Sequence, residues 1–290
     1  MMRKMLVLVI ALIIIEAAIA ANYDGGMRNI QRAISEERQK GLKMGNEPFV
    51  MGSEGDRAGI ILFHGFTASP WEVNELAQYL NNKNITVYGP LLAGHGTSPR
   101  DLKKTKWEEW YKGADENFRA MRAMFDCVYV GGMSTGAAIA LMLAADYEVC
   151  GIVSIGAPVF FQDWKARYTW LFKYILPYTT REIPEDIRPY YYEKRPTAAV
   201  AELVEMVDVM KEGLPKIDEP IFIVQSLKDQ TVKPESAQFI MTNVSSLDKT
   251  FIWFDEGQHV IIKDDQREEV FRLISEFIHD QENKRERKNN

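Results

Sequence analysis

Val128-Tyr129-Val130-Gly131-Gly132-Met133-Ser134-Thr135-Gly136-Ala137-Ala138-Ile139-Ala140-Leu141 decides how this chain folds. Its first residues are the β-branched and aromatic run of a buried strand, and its last are a helix-forming stretch. A G-x-S-x-G pentapeptide joins them, with no room for a loop. So sharp a turn holds Ser134 in a strained backbone conformation and requires small residues wherever chain segments approach it. It also sets Ser134 at a helix N-terminus, where partial positive charge favours a developing anion. The pentapeptide alone is a weak signal; its place between strand and helix gives it weight against a purely structural glycine-rich turn.

On both sides the same alternation continues. Ile60-Ile61-Leu62-Phe63 is a short apolar run ending at His64-Gly65, the mark of a strand buried on both faces. Ser69-Pro70-Trp71-Glu72 then predicts a helix start with Ser69 as cap, proline at the first position and Glu72 closing a capping box. Val73, Leu76, Ala77 and Leu80 form its apolar stripe. Strands are predicted at Ile85–Tyr88, Cys127–Val130, Cys150–Ile155, Ile221–Val224 and Phe251–Phe254. Helices are predicted at Lys106–Phe125, Gly136–Ala145, Glu235–Met241 and Glu268–His279. The class is α/β: a mainly parallel sheet with helices on both faces. Val159 to Ile217 interrupts the pattern and reads as an inserted cap that turns helical over Thr197–Lys211. Eleven of the 33 residues from Phe160 to Tyr192 are aromatic, so they either form the cap's own core or line a substrate pocket, with Trp164, Trp170 and Phe172 as pocket candidates.

A serine nucleophile needs a base, and the base needs an orienting acid. Asp229 follows the strand at Ile221–Val224 and His259 follows the strand at Phe251–Phe254. Both therefore fall at the carboxyl edge of the sheet, where open parallel sheets put ligand chemistry, and in the order serine, acid, histidine. Asp218 and Asp255 fit less well, one lying before a strand and one directly after. Oxyanion donors are expected at the backbone N–H of Thr135 and, from the loop His64-Gly65-Phe66-Thr67, of Phe66. His64 is read as orienting that loop, His95 as stabilising another, and His279 as a structural residue at a helix C-terminus.

These residues resemble the α/β-hydrolase superfamily and, within it, the small serine carboxylesterases and monoacylglycerol lipases. The likeness rests on His64-Gly65-Phe66-Thr67, Gly94-His95-Gly96, Gly132-Met133-Ser134-Thr135-Gly136, Asp229 and Gly257-Gln258-His259, and spans about Gly59 to His279. It implies an inserted cap and ester hydrolysis through an acyl-enzyme, with no metal or organic cofactor. The expected substrate is an uncharged short- to medium-chain acyl ester or a monoacylglycerol. A thioesterase or peptidase using the same triad, and a non-catalytic, membrane-tethered binding module on the same fold, are the alternatives. Phe49-Val50-Met51 is the candidate for one of the family's early strands.

Composition bounds the rest. A net charge of −6 argues against a nucleic-acid partner, and two cysteines with four histidines leave little for a metal site. Arg3 and Lys4 precede the apolar run Met5–Ile15, followed by Glu16 and Ala17-Ala18-Ile19-Ala20-Ala21. This reads as an export signal cleaved after Ala20 or as a retained anchor that would hold the protein at a membrane through residues 5–21. In both cases the remainder is delivered outside the cytoplasm. Residues 1–21 are thus signal or anchor, 22–46 a spacer with a short helix expected around Asn29 to Leu42, and 47–290 the α/β domain with its insertion at about 159–217. Lys284 to Lys288 read as a solvated tail. Cys127 and Cys150 start neighbouring strands; two buried thiols are preferred over a disulfide. The oligomeric state is not legible.

Overall fold

The computed structural model describes residues 21–39, 41–53, 55, 56 and 58–289. The apolar segment 5–20 lies outside them, and no helix among the described residues is long and apolar enough to cross a membrane. In chain order the elements are α1 (21–38), β1 (Phe49–Met51), β2 (Ala58–Phe63), α2 (Trp71–Asn81), β3 (Ile85–Gly89), α3 (Pro99–Leu102), α4 (Trp107–Arg122), β4 (Val128–Met133), α5 (Thr135–Asp146) and β5 (Ile152–Ile155). Then come α6 (Thr169–Phe172), β6 (Tyr178–Thr180), β7 (Lys194–Pro196), α7 (Thr197–Gly213), β8 (Ile221–Ser226), α8 (Glu235–Asn243), β9 (Lys249–Phe254) and α9 (Arg267–Asn289). Seven strands form one sheet in the order β1-β3-β2-β4-β5-β8-β9, parallel except for the β1–β3 pair.

Strand periodicity divides the core. Ile61, Phe63, Val128 and Val130 face α1, α4, α5, α7 and α8, whereas Ile60, Leu62 and Tyr129 face α2 and α9. The central strands β2, β4, β5 and β8 are buried throughout, which is why they read as continuous apolar runs. Strand order reverses at β2, so the carboxyl ends of β2 and β4 border the crevice where parallel sheets bind ligands.

Several expectations are corrected. The segment 22–46 is no free spacer: α1 buries Tyr23, Ile30 and Ile34 in the main core, with Met27 partly buried beside them. These four recur at i, i+4, i+7 and i+11, a helical stripe hidden among charged neighbours. The charged C-terminus is no tail, because α9 continues to Asn289, and Tyr129 donates a 2.8 Å hydrogen bond to Glu282 on it. His279 consequently lies inside α9 and not at its end. Cys127 and Cys150 are joined in a disulfide, not held as separate thiols, with Cα atoms 5.5 Å apart. The parallel pairing of β4 and β5 explains it: Cys150 N–H donates to Val128 O at 3.0 Å, bringing the two residues within bridging distance.

The inserted segment splits in two. Its last helix, α7, packs Leu203, Met206, Val207 and Met210 into the main core. The part before it, from Val159 to Pro196, carries α6 and the two-stranded ribbon β6–β7. Trp164, Trp170 and Phe172 there are 66%, 59% and 51% exposed, so they form no core of the cap's own. One helical turn and a 3-10 turn lying on α7 are too short to cover them. The inward contacts are made by Ile183 and Tyr191, which pack with Ala68, and by Tyr190, which stacks on Trp71 at 4.2 Å.

Candidate active site

The site is built from the turn after β4. Ser134 has φ 55° and ψ −117°, a conformation that costs a non-glycine residue energy. Two close approaches enforce it. A Cβ on Gly136 would lie 2.8 Å from His64 O and closer still to the Phe63 backbone, and one on Gly132 would lie 2.5 Å from Phe63 O. Ser134 N–H donates to Ile155 O at 2.8 Å, which ties the turn to the end of β5.

The loop after β8 supplies Asp229, whose side chain is almost wholly buried. Its Oδ1 accepts from Thr231 N–H at 2.8 Å and Val232 N–H at 2.9 Å, and its Oδ2 accepts from Gln225 Nε2 at 3.0 Å. His259 Nδ1 donates to Oδ2 at 2.7 Å, so Nε2 is left to accept a proton. Burial alone would push the Asp229 carboxyl up; the hydrogen bond to His259, its charge and the two backbone N–H groups outweigh this and hold the carboxyl below its ordinary range. Ser226 Oγ donates to Gly257 O at 2.5 Å and joins the acid loop to the histidine loop. The imidazole lies against Gly156, where a Cβ would sit 3.5 Å from His259 Cε1, directly after the residue that bonds Ser134. Among the described residues no hydrogen bond joins Ser134 Oγ to the ring; catalytic pairs of this kind commonly tighten only with substrate bound.

The loop after β2 covers the N-terminus of α5. Neither Phe66 N–H nor Thr135 N–H donates to a protein acceptor among the described residues. Thr67 sits at φ 61° and its carbonyl accepts from Tyr192 N–H at 2.8 Å. His64 Nε2 accepts from Leu92 N–H at 3.1 Å, so Nδ1 carries the proton and donates to Gly65 O at 2.9 Å. Burial, and then the charge of His95, depresses the His64 pKa well below the usual imidazole range. His95 is buried too, pushed down to about 4, and its Nδ1 lies 3.1 Å from Ala93 O. Both histidines are neutral braces.

Glu72 is the residue that reading for a capping box misassigns. Pro70 occupies the cap position of α2, and no side chain caps the helix. The Glu72 carboxylate turns instead to Gly65 N–H at 2.6 Å and to the Tyr191 hydroxyl at 2.9 Å. Its signal was an acid four residues before Leu76, on the apolar stripe of α2. Burial, opposed by those hydrogen bonds, raises its pKa. Gln225 and Ser226, at the end of a buried strand, carried no signal beyond polarity.

Comparisons with known proteins give the family. Residues 55–266 match the family model described as serine aminopeptidase, S33. A carboxylesterase of Bacillus subtilis (strain 168) is 29% identical over 77% of this chain and 93% of its own length. A thermostable monoacylglycerol lipase of Bacillus sp. (strain H-257) is 30% identical over 81% of this chain and 94% of its own. Among solved structures, one from a study of the metagenome-derived lipolytic enzymes LipS and LipT superposes with a TM-score of 0.77 at 24% identity, covering 82% of this chain and 99% of that one. The monoacylglycerol lipase of Paleococcus ferrophilus superposes at 0.69 with 16% identity, covering 81% of this chain and 98% of that one. With an elbow serine, an Asp–His pair and a family match over most of its length, the chain is a hydrolase and belongs to the serine aminopeptidase S33 family of the α/β-hydrolase fold.

Proposed function

We propose that the protein hydrolyses carboxylic esters through an acyl-enzyme on Ser134. The observation that carries this reading is the 2.7 Å Asp229–His259 hydrogen bond beside the strained Ser134 turn. Ser134 Oγ attacks the acyl carbonyl as its proton passes to His259 Nε2, and Asp229 holds the ring and stabilises its cationic form. The oxyanion is received by the N–H groups of Phe66 and Thr135. Collapse of the tetrahedral adduct breaks the ester C–O bond, and His259 returns the proton to the leaving alcohol. Water then attacks the acyl-enzyme with His259 as base, releasing the acid and restoring Ser134. The ester preference is supported by the carboxylesterase and monoacylglycerol lipase relatives.

A fluorophosphonate probe should label the wild type and not Ser134→Ala, and a p-nitrophenyl ester panel should show turnover lost in that variant. Absence of labelling in folded protein would favour a non-catalytic binding role. Faster turnover of thioester or peptide substrates of matched size would favour those leaving groups instead. Phe66→Ala should be milder than Ser134→Ala, because the donor is backbone.

The proposal extends to location: the hydrolase acts outside the cytoplasm, released or held by residues 5–21. The Cys127–Cys150 disulfide supports an oxidising compartment. Fractionation of producing cells, with intact mass of the recovered protein, tests both arms; recovery of full-length protein in the cytosol would sink them.

A further inference from the structure

We propose that Arg181 and Arg195 form an anion-binding subsite beside the catalytic serine, selecting acyl esters that carry a carboxylate or phosphate a few atoms from the scissile carbonyl. This rests on the ester-hydrolase reading and replaces the uncharged ester expected from the sequence with an anionic one.

The two arginines share one face of the ribbon. Thr179 pairs with Arg195 in the β6–β7 register, and Arg181 N–H donates to Glu193 O at 3.0 Å, extending the ladder by one step. Residues opposite one another share a face, so Arg181, Thr179 and Arg195 lie on one side, with exposed Thr180 and Lys194 on the other. The arginine face looks onto the catalytic body. Arg181 Nη2 donates to Thr67 Oγ1 at 3.0 Å, next to the Phe66 N–H, and its guanidinium lies over the Tyr191 ring at 5.3 Å. Arg195 lies within the attractive field of Asp163. The residue before that aspartate, Gln162, donates through Nε2 to Asp229 O at 2.9 Å. Arg181 thus adjoins the loop with the oxyanion donors, and Arg195 follows it on the same face of the ribbon, opposite Thr179. Ser134, after β4, lies between that loop and the one that carries Asp229 after β8.

The charges of this pair are poorly compensated. The Nε atoms of both arginines are buried without a hydrogen-bond partner among the described residues. Neither makes an ion pair within 4.0 Å there. Burial makes the cationic form of each costlier, and for Arg181 the charge of Arg195 adds to that cost. Glu72 is near enough to attract Arg181, but its two oxygens accept from Gly65 N–H and the Tyr191 hydroxyl. Arginine does not escape such a position by losing its proton. The buried Nε atoms are out of reach of a ligand, but Arg195 Nη1 and Nη2 and Arg181 Nη1 are neither buried nor bonded to protein among the described residues, and these are the donors that a carboxylate or phosphate would meet.

The test compares matched charged and neutral substrates. On the acyl side, mono-p-nitrophenyl glutarate is set against p-nitrophenyl pentanoate; on the alcohol side, octanoylglycerol phosphate is set against octanoylglycerol. Wild type should favour the charged member at least tenfold in kcat/KM in one arm, and that arm says which side of the ester carries the anion. Arg195→Gln should lower the charged-to-neutral ratio about tenfold, mainly through KM, and Arg195→Lys should restore part of it. Raised salt should shrink the wild-type preference. A neutral preference in both arms overturns the subsite, as does a charged preference that survives Arg195→Gln and Arg181→Gln. If no ester in either arm is turned over, the ester reading fails. The subsite is then read by calorimetry on Ser134→Ala: octanoylglycerol phosphate should bind about tenfold tighter than octanoylglycerol, and equal affinities overturn it.

Discussion

Ser134 stores strain that a glycine would not. At φ 55° and ψ −117° it occupies a region that costs a side-chain-bearing residue about 1–3 kcal/mol. Ser134→Gly should therefore raise unfolding free energy by about 1–2 kcal/mol in urea titrations while abolishing turnover, whereas Ser134→Ala abolishes turnover without that gain. Equal stability of the two variants would place the strain elsewhere. A second residue-scale outcome concerns pH. His95 is buried neutral with its folded pKa at about 4, below the unfolded value of about 6.5. The unfolded chain binds the extra proton, so this contribution is complete above about pH 6.5 and is lost as pH falls toward 4. The linkage is worth up to about 3 kcal/mol. Replacing His95 with Asn should flatten the fall in stability between pH 6.5 and 4, measured by urea midpoints against wild type. The turn at Ser134 and the Asp229–His259 pair were legible because each follows a strand in a fixed order. Glu72, Gln225 and Arg181 were not, because they work through contacts between segments distant in sequence, to which periodicity is blind.

At the scale of elements, hydrophobic pattern located the strands and the amphipathic helices and failed where charge masked burial. α1 carries its Tyr23-Met27-Ile30-Ile34 stripe among arginines and glutamates, and so read as a spacer. Because Ile30 is 1% exposed, Ile30→Ala should cost about 3 kcal/mol, the usual range for a buried isoleucine. A change within experimental error would restore the spacer reading. α9 was cut short for the same reason, since Glu282 is held by Tyr129 despite its charged surroundings. The disulfide adds a covalent constraint across β4–α5–β5, closing a loop with a sequence separation of 23. A loop of that length stabilises by about 3 kcal/mol through the unfolded chain. Cys127→Ser with Cys150→Ser should lower stability by about that amount, and dithiothreitol should do the same to wild type while leaving the double variant unmoved.

At the scale of the whole molecule, the exposed part of the insertion departs from the composition of the rest of the chain. The chain carries a net charge of −6, yet residues 164–176 hold Lys165, Arg167 and Lys173 and no acidic residue. Interspersed with them, Trp164, Tyr168, Trp170, Leu171, Phe172, Tyr174, Ile175 and Leu176 are all exposed. Scattered apolar residues are ordinary on a surface; eight within one short segment are not. Aromatic and aliphatic side chains mixed with cations suit the boundary between lipid headgroups and acyl chains. The insertion also bonds the oxyanion loop through Tyr192 and Arg181, so a lipid surface under residues 164–176 would meet the same insertion that holds that loop. The expected consequence separates delivery from chemistry. Trp170→Ser combined with Phe172→Ser and Ile175→Ser should keep turnover of soluble p-nitrophenyl butyrate within about twofold. The same triple variant should lose tenfold or more on monoacylglycerol presented in anionic vesicles, and should no longer float with those vesicles in a density gradient. All three side chains are more than half exposed, so the triple variant should unfold at the wild-type urea midpoint, and the lost rate would then belong to the surface. Equal losses on the soluble and the vesicle substrate would tie these residues to the reaction instead.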